Sequence, residues 1–210
     1  MIDELVFRIV FTVLWLVFIV NLTWVRYSTR QPKQEAQTTQ TKQQQKEKQW
    51  HTVALALFAP FWFGGIILYI FIPSLIAFLS IPLPDWFRLV MGGVALLSIP
   101  FTLWSYRTIG KNWVHALDPS EFTQKKDNKL VTVGPYRIVR NPIYLGSFTL
   151  ILSLALLALN WLILIPSVAI IPLIYTRISG EEQMLLDRFG DEYREYMRKT
   201  PRIIPSIRSR

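Results

Sequence analysis

Long apolar stretches alternate with polar, basic ones along the chain. Leu5–Trp24 holds a single charge, Arg8; Thr52–Leu79 and Leu89–Tyr106 hold none; Ile143–Thr176 runs for 34 residues without one. A hydrocarbon core takes roughly 20 apolar residues per helix, so each stretch is long enough for at least one crossing. The pattern predicts five membrane-embedded helices at about 4–26, 52–79, 86–106, 143–159 and 161–177, the last two divided at Asn160-Trp161. At ~1.5 Å per residue those last two reach about 24 Å each, which suits a tight helical hairpin. Pro60, Pro73 and Pro100 lie inside apolar runs and are expected to bend helices rather than end them. Gly64-Gly65 and Gly92-Gly93 are expected to permit close helix packing.

Past residue 177 the period changes. Ile178, Glu182, Leu185, Phe189, Tyr193 and Tyr196 recur at spacings of three and four with charges between them. That stripe predicts an amphipathic helix ending near Lys199-Thr200-Pro201. Gly190 weakens it by about 1 kcal/mol relative to Ala. Gln31–Gln49 is rich in Gln, Lys and Thr and cannot offset its ordering entropy by burial, so it reads as a flexible linker. The chain is therefore read as an all-α, polytopic membrane protein. It has an N-terminal membrane helix within 1–27, a polar linker over 28–50, two membrane helices within 51–106, and a region 107–210 of loop, hairpin and tail helix.

Composition supports this. Hydrophobic residues make up 51% of the 210 and the mean hydropathy is +0.30, above what a soluble domain of this length carries. The net charge of +9 raises the question of nucleic acid, and its distribution answers it. Of 23 Lys and Arg, 21 fall in 26–50, 106–141 and 177–210, leaving Arg8 and Arg88. Basic residues gathered in alternate loops mark the cytoplasmic side, and no nucleic-acid motif accompanies them. The expected orientation has the N-terminus outside and the C-terminus inside, in a bacterial inner membrane or the endoplasmic reticulum. Asp3-Glu4 replace the basic start of a cleavable signal, so the first helix is expected to stay as an anchor. The chain has no Cys and two His, which excludes thiolate chemistry and gives no metal-ligand spacing. Nothing in the sequence sets an oligomeric state.

The candidate chemistry lies where the last apolar stretch meets water. In Arg140-Asn141-Pro142-Ile143-Tyr144 the proline suits a first helical turn, where unpaired N–H groups and the helix dipole favour an anion. Arg140 adds a planar fork for a carboxylate or phosphate, and Gly134-Pro135 makes a turn just before it. The same residues also fit a helix start whose arginine reaches lipid headgroups. At the other end of the stretch, Glu181 stands four residues past Arg177 and can pair with it, while Glu182 shares the apolar stripe. Either glutamate can hold an ammonium group or act as a base; both also fit ordinary acid placement near a helix end. His115 with Asp118 and Glu121 reads as a solvated loop, and no Ser-His-Asp spacing supports hydrolysis.

Gly110-Lys-Asn-Trp113, Leu130-Val-Thr-Val-Gly134-Pro-Tyr136, Arg140-Asn-Pro142-x-Tyr144-x-Gly146, Glu181-Glu182 and Phe189-Gly190-x-x-Tyr193-x-x-Tyr196 follow one another in order. Together, over roughly 105–205, they resemble the isoprenylcysteine carboxyl methyltransferase and phospholipid methyltransferase superfamily of integral membrane enzymes. The resemblance implies S-adenosylmethionine held at the cytoplasmic ends of the last helices and a lipophilic acceptor entering from the bilayer. It implies a cofactor pocket shaped by Val133, Gly134, Tyr136, Arg140, Asn141, Pro142, Tyr144, Gly146 and Glu181, with Arg140, Arg177, Glu181 and Glu182 at the reacting centre. Many relatives carry His where this chain has Asn141, which cannot shuttle a proton near neutral pH. A carboxylate acceptor needs no base, so the chain is expected to methylate a carboxylate. The other readings are a phospholipid amine N-methyltransferase, an enzyme like the membrane sterol reductases, and a non-catalytic membrane scaffold.

Overall fold

A computed structural model describes residues 3–28, 58–110 and 129–205. They are helical, with one isolated bridge pair. The long helices are α1 (Glu4–Ser28), α2 (Phe58–Phe71), α3 (Asp85–Ile109), α4 (Pro142–Ala158) and α5 (Trp161–Phe189), followed by a short α6 (Asp191–Lys199). Pro73–Leu79 and Gly134–Arg137 form 3₁₀ helices. Among the described residues, α3 and α5 each pass as membrane spans by length and apolar character, and α2 with its 3₁₀ continuation makes a bent third. The all-α, polytopic architecture is the expected one. Residues 29–57, including most of the linker and His51, lie outside the described residues, as do 111–128 with His115, Asp118 and Glu121.

Three expectations are corrected. The stretch 52–79 is not a single helix: α2 stops at Phe71 and the chain turns by 116° into the 3₁₀ helix. Pro73 has no N–H to continue the ladder and takes the first position of the new helix instead. Pro100, by contrast, stays inside α3. Secondly, the amphipathic segment is no separate helix after 177. It prolongs α5 to Phe189, and Gly190 at φ 53° divides it from α6 rather than merely weakening it. Thirdly, only one glycine of each pair meets a neighbour. A Cβ on Gly65 would lie 3.1 Å from the Leu162 side chain and one on Gly92 3.7 Å from Leu157, whereas Gly64 and Gly93 face open space.

The core is a continuous apolar cluster from Phe7, Phe11 and Phe18 of α1, Ile66 and Tyr69 of α2, Ala95 and Ile99 of α3, and Leu150, Leu154 and Leu157 of α4. α3 and α4 make an extensive contact along their length. One end of the bundle is closed by Arg88. Its guanidinium donates to both oxygens of Glu4, to Tyr69 Oη at 2.9 Å and to the Leu157 carbonyl at 2.9 Å, and lies over the Phe7 ring. The starts of α1 and α3 and the ends of α2 and α4 thus meet there. So does the hairpin turn: Asn160 caps α5 through Leu162 N, donates to Ile76 O at 2.9 Å, and bridges to Ser80. At the opposite end lie the close of α3, the start of α4 and the polar continuation of α5.

Candidate functional site

At that opposite end the chain builds a compact polar cluster. Gly134 adopts φ 60°, a region that favours glycine, and a Cβ there would come 3.2 Å from the Thr108 side chain on α3. The turn therefore seats directly on the end of α3 and buries Tyr136 behind it. The Tyr136 carbonyl accepts a 2.6 Å hydrogen bond from Tyr196 of α6. Its own hydroxyl is buried and has no hydrogen-bond partner among the described residues. Burial, then the fields of Tyr196, Tyr106 and Glu181, push the Tyr136 phenol well above its ordinary pKa. It stays protonated, a donor without an acceptor among the described residues, and buried donors of that kind are uncommon in native proteins.

The two glutamates part company. Side chains on adjacent helical residues point about 100° apart, so one turn of α5 feeds two environments. Glu181 accepts from Tyr144 Oη and, at 3.2 Å, from Arg177 Nε. Its side chain keeps 23% exposure and that of Arg177 38%, so this pair lies at an opening. Glu182 is enclosed, at 7%. One of its oxygens accepts from Arg140 Nε and from Asn141 Nδ2, both at 3.0 Å; Arg202 Nε lies 3.0 Å from the other. Arg140 is committed further, donating through Nη1 to the carbonyls of Met197 and Thr200 at 3.1 and 2.7 Å. A buried ion pair is stable only when its remaining hydrogen-bonding capacity is met, and here four elements meet it.

Residues 200–202 run beside the start of α4 as a strap. Arg140 N donates to Pro201 O at 2.8 Å and Asn141 N to Arg202 O at 3.1 Å. The Asn141 side chain makes no helix cap, because its amide is drawn to Glu182 and to the Arg202 carbonyl. Pro142 and Gly146 are buried. Gly146 turns to α3, where a Cβ would lie 2.2 Å from Thr102 Oγ1. Val133 is exposed beside the turn.

Every expected site residue thus falls in one region, in two layers. Tyr144, Arg177 and Glu181 stand at the opening, Tyr136 is buried within reach of the Glu181 field, and Val133 and Gly134 belong to the turn that seats on α3. Arg140, Asn141, Pro142, Gly146 and Glu182 form the packed layer behind the opening. Sequence reasoning missed Arg202, Tyr106 and Thr102. Pro201 just past a helix end announces a chain reversal, and that was the one signal for Arg202.

Comparison with known proteins gives a consistent picture. The profile of the phospholipid methyltransferase family matches residues 87–192, which hold α3, the turn, α4, α5 and the start of α6. A protein-S-isoprenylcysteine O-methyltransferase of Schizosaccharomyces pombe is 39% identical over 85 residues, 40% of this chain and 36% of that protein. A nickel-cobalt-cadmium resistance protein of Alcaligenes xylosoxydans xylosoxydans is 27% identical over 113 residues, 54% of this chain and 51% of its own length. The solved structure of a eukaryotic intramembrane Ras methyltransferase, isoprenylcysteine carboxyl methyltransferase, superposes with a TM-score of 0.56 at 26% identity. That match covers 87% of this chain and 60% of the other. The matches to these two curated relatives span between about a third and a half of their length.

Proposed function

The chain belongs to the phospholipid methyltransferase family, and we propose that it is a membrane-embedded methyltransferase using S-adenosylmethionine, with a lipophilic or lipidated carboxylate as acceptor. The observation that carries this reading is the opening at the start of α4. There Glu181, its side chain 23% exposed, accepts from Tyr144, 37 residues away in the chain, and its field reaches Tyr136, whose buried hydroxyl has no hydrogen-bond partner among the described residues. A carboxylate with tyrosines close by suits a cation, a cation–aromatic contact being worth ~0.5–2 kcal/mol. S-adenosylmethionine, when bound, supplies an electrophilic methyl group on a sulfonium.

The residues present fit that group. Glu181 meets a positive ammonium or sulfonium, Tyr136 offers its unused hydroxyl proton, and Tyr144 contributes both ring face and hydroxyl. Arg177, the more exposed of the two arginines, is placed to receive a carboxylate. Arg140, Asn141 and Glu182 hold these groups from behind through their own hydrogen bonds. Methyl transfer is an in-line displacement, so the protein's contribution is alignment and exclusion of water. No enzyme nucleophile is needed.

The acceptor arrives along α5. Between Ser167 and Ile178 no residue of that helix is buried, which leaves an apolar flank leading from hydrocarbon to the opening. An ionised carboxylate reaching it requires no proton removal. That matches a site in which Glu181 is occupied as an acceptor of two hydrogen bonds.

Calorimetric titration of the detergent-purified protein with S-adenosylmethionine tests the reading, with a saturable heat as the expected result. Glu181→Gln should lower affinity or turnover by at least about tenfold, the loss of a charge-assisted contact. With labelled cofactor and a lipid extract, label should appear in base-labile esters. Label in choline-type headgroups instead would move the acceptor to an amine, and no heat with the cofactor would remove the reading altogether.

A further inference from the structure

We propose that Arg202 is a positioning residue of this site: it braces the polar end of α5 against the start of α4 and so fixes where Glu181 meets Tyr144. The proposal rests on the methyltransferase reading of the site.

Tyr175, Ser179 and Glu182 stand four and three residues apart, on one face of α5. The Arg202 side chain lies along that face. Its Cζ sits 4.6 Å over the Tyr175 ring, Nη2 donates to Ser179 Oγ at 2.9 Å, and Nε is 3.0 Å from Glu182 Oε2. The last is an ion-pair contact, since Nε is not aligned for a hydrogen bond. Through its backbone the same residue is tied to α4, its carbonyl accepting from Asn141 N at 3.1 Å and Asn141 Nδ2 at 3.2 Å.

The brace matters because of what α5 lacks. With no buried residue between Ser167 and Ile178, the apolar part of the helix does not fix how the polar end is turned. Rotation of that end carries Glu181 past or away from Tyr144. That rotation is limited by Ile178, which is fully buried, and by Glu182 with its three partners, of which only Arg202 also grips two further positions on the same helix. Lysine at 202 can pair with Glu182, but it has no fork to reach Ser179 and no plane to lie on Tyr175.

The test compares Arg202→Ala, Arg202→Lys, Glu182→Gln and the double variant R202A/E182Q with the full-length protein, using S-adenosylmethionine binding and amide hydrogen exchange. Arg202→Ala should weaken binding by at least about fivefold, and Arg202→Lys should recover only part of it. Because Arg202 acts on Glu182 and also holds Tyr175 and Ser179, the double variant should bind more weakly than Glu182→Gln alone but lose less than the sum of the two single losses. Exchange in Arg202→Ala should quicken by about tenfold or more in 178–189 and 140–146, while 86–100 keeps its protection. Wild-type affinity in Arg202→Ala overturns the proposal, as does additive loss in the double variant. So does an acceleration spread evenly over all helices, which marks general loosening. Should the wild-type protein give no heat with the cofactor, the methyltransferase reading falls by itself. The exchange pattern then still decides the brace, local acceleration supporting it and unchanged exchange overturning it.

Discussion

A methyl group on Gly146 would sit 2.2 Å from Thr102 Oγ1 and 3.2 Å from a ring carbon of Phe101. Thr102 cannot turn aside freely, because its hydroxyl donates to Ser98 O within α3. Gly146→Ala should therefore force α4 away from α3 and lower stability by about 1–3 kcal/mol, the range for overpacking. The check is a lowered Tm of the detergent-solubilised protein. Thr102→Ala placed beneath it should restore part of the loss, and an unchanged Tm in Gly146→Ala would refute the close approach. At this scale the sequence is legible where partners are local. Arg177 and Glu181, four residues apart, pair as their spacing suggests. Glu182 was legible only as a member of an apolar stripe, since its partners Arg140, Asn141 and Arg202 come from 20 to 42 residues away. A buried charge with distant partners has no local signature.

Elements were legible through period and obscured by backbone conformation. The stripe Ile178, Glu182, Leu185, Phe189, Tyr193 and Tyr196 is the covered face, with Ile178, Glu182, Tyr193 and Tyr196 buried. Its periodicity runs unbroken across Gly190, so the break there is invisible to a hydrophobic count. What breaks it is the conformation at Gly190, φ 53° and ψ −119°, which an L side chain rarely adopts. Gly190→Ala is expected to strain the junction by an amount of order 1–3 kcal/mol, or to fuse α5 with α6 and pull Tyr196 off the Tyr136 carbonyl. Limited trypsin digestion should then cut sooner at Arg194 and Arg198, and S-adenosylmethionine binding should weaken with it. If cleavage rates match wild type, α6 does not depend on that turn. Pro73 shows the reverse case, for a proline within an apolar run can end a helix wherever the next residues find other contacts. Here Ile76 is buried and its carbonyl accepts from Asn160.

For the molecule as a whole, helix geometry sorts the polar groups into two ends, and charge placement gives an expectation of which end faces the cytoplasm. Glu4, Tyr69, Arg88 and the hairpin turn mark one end, while Gly134, Arg140 and Glu182 mark the other. Glu4 of α1 lies at the first end and Glu182 of α5 at the second, so the start of α1 and the polar part of α5 lie at opposite ones. Among the described basic residues, Arg140, Arg177 and Arg202 lie at the site end, and positive residues mark the cytoplasmic side, so the site end is expected to face the cytoplasm. Because the chain has no Cys, single cysteines introduced at Asp3 and at Ile204, which is 81% exposed, report each end on a clean background. In sealed vesicles a membrane-impermeant maleimide should reach Asp3→Cys from the face that would be extracytoplasmic and Ile204→Cys only from the other. Labelling of both from one face would mean that the five helices do not all cross. An α4–α5 hairpin that returns without crossing leaves this outcome unaltered. The experiment therefore bears on α1, α2 and α3, whose crossings decide whether the site faces the side where a water-soluble methyl donor is available.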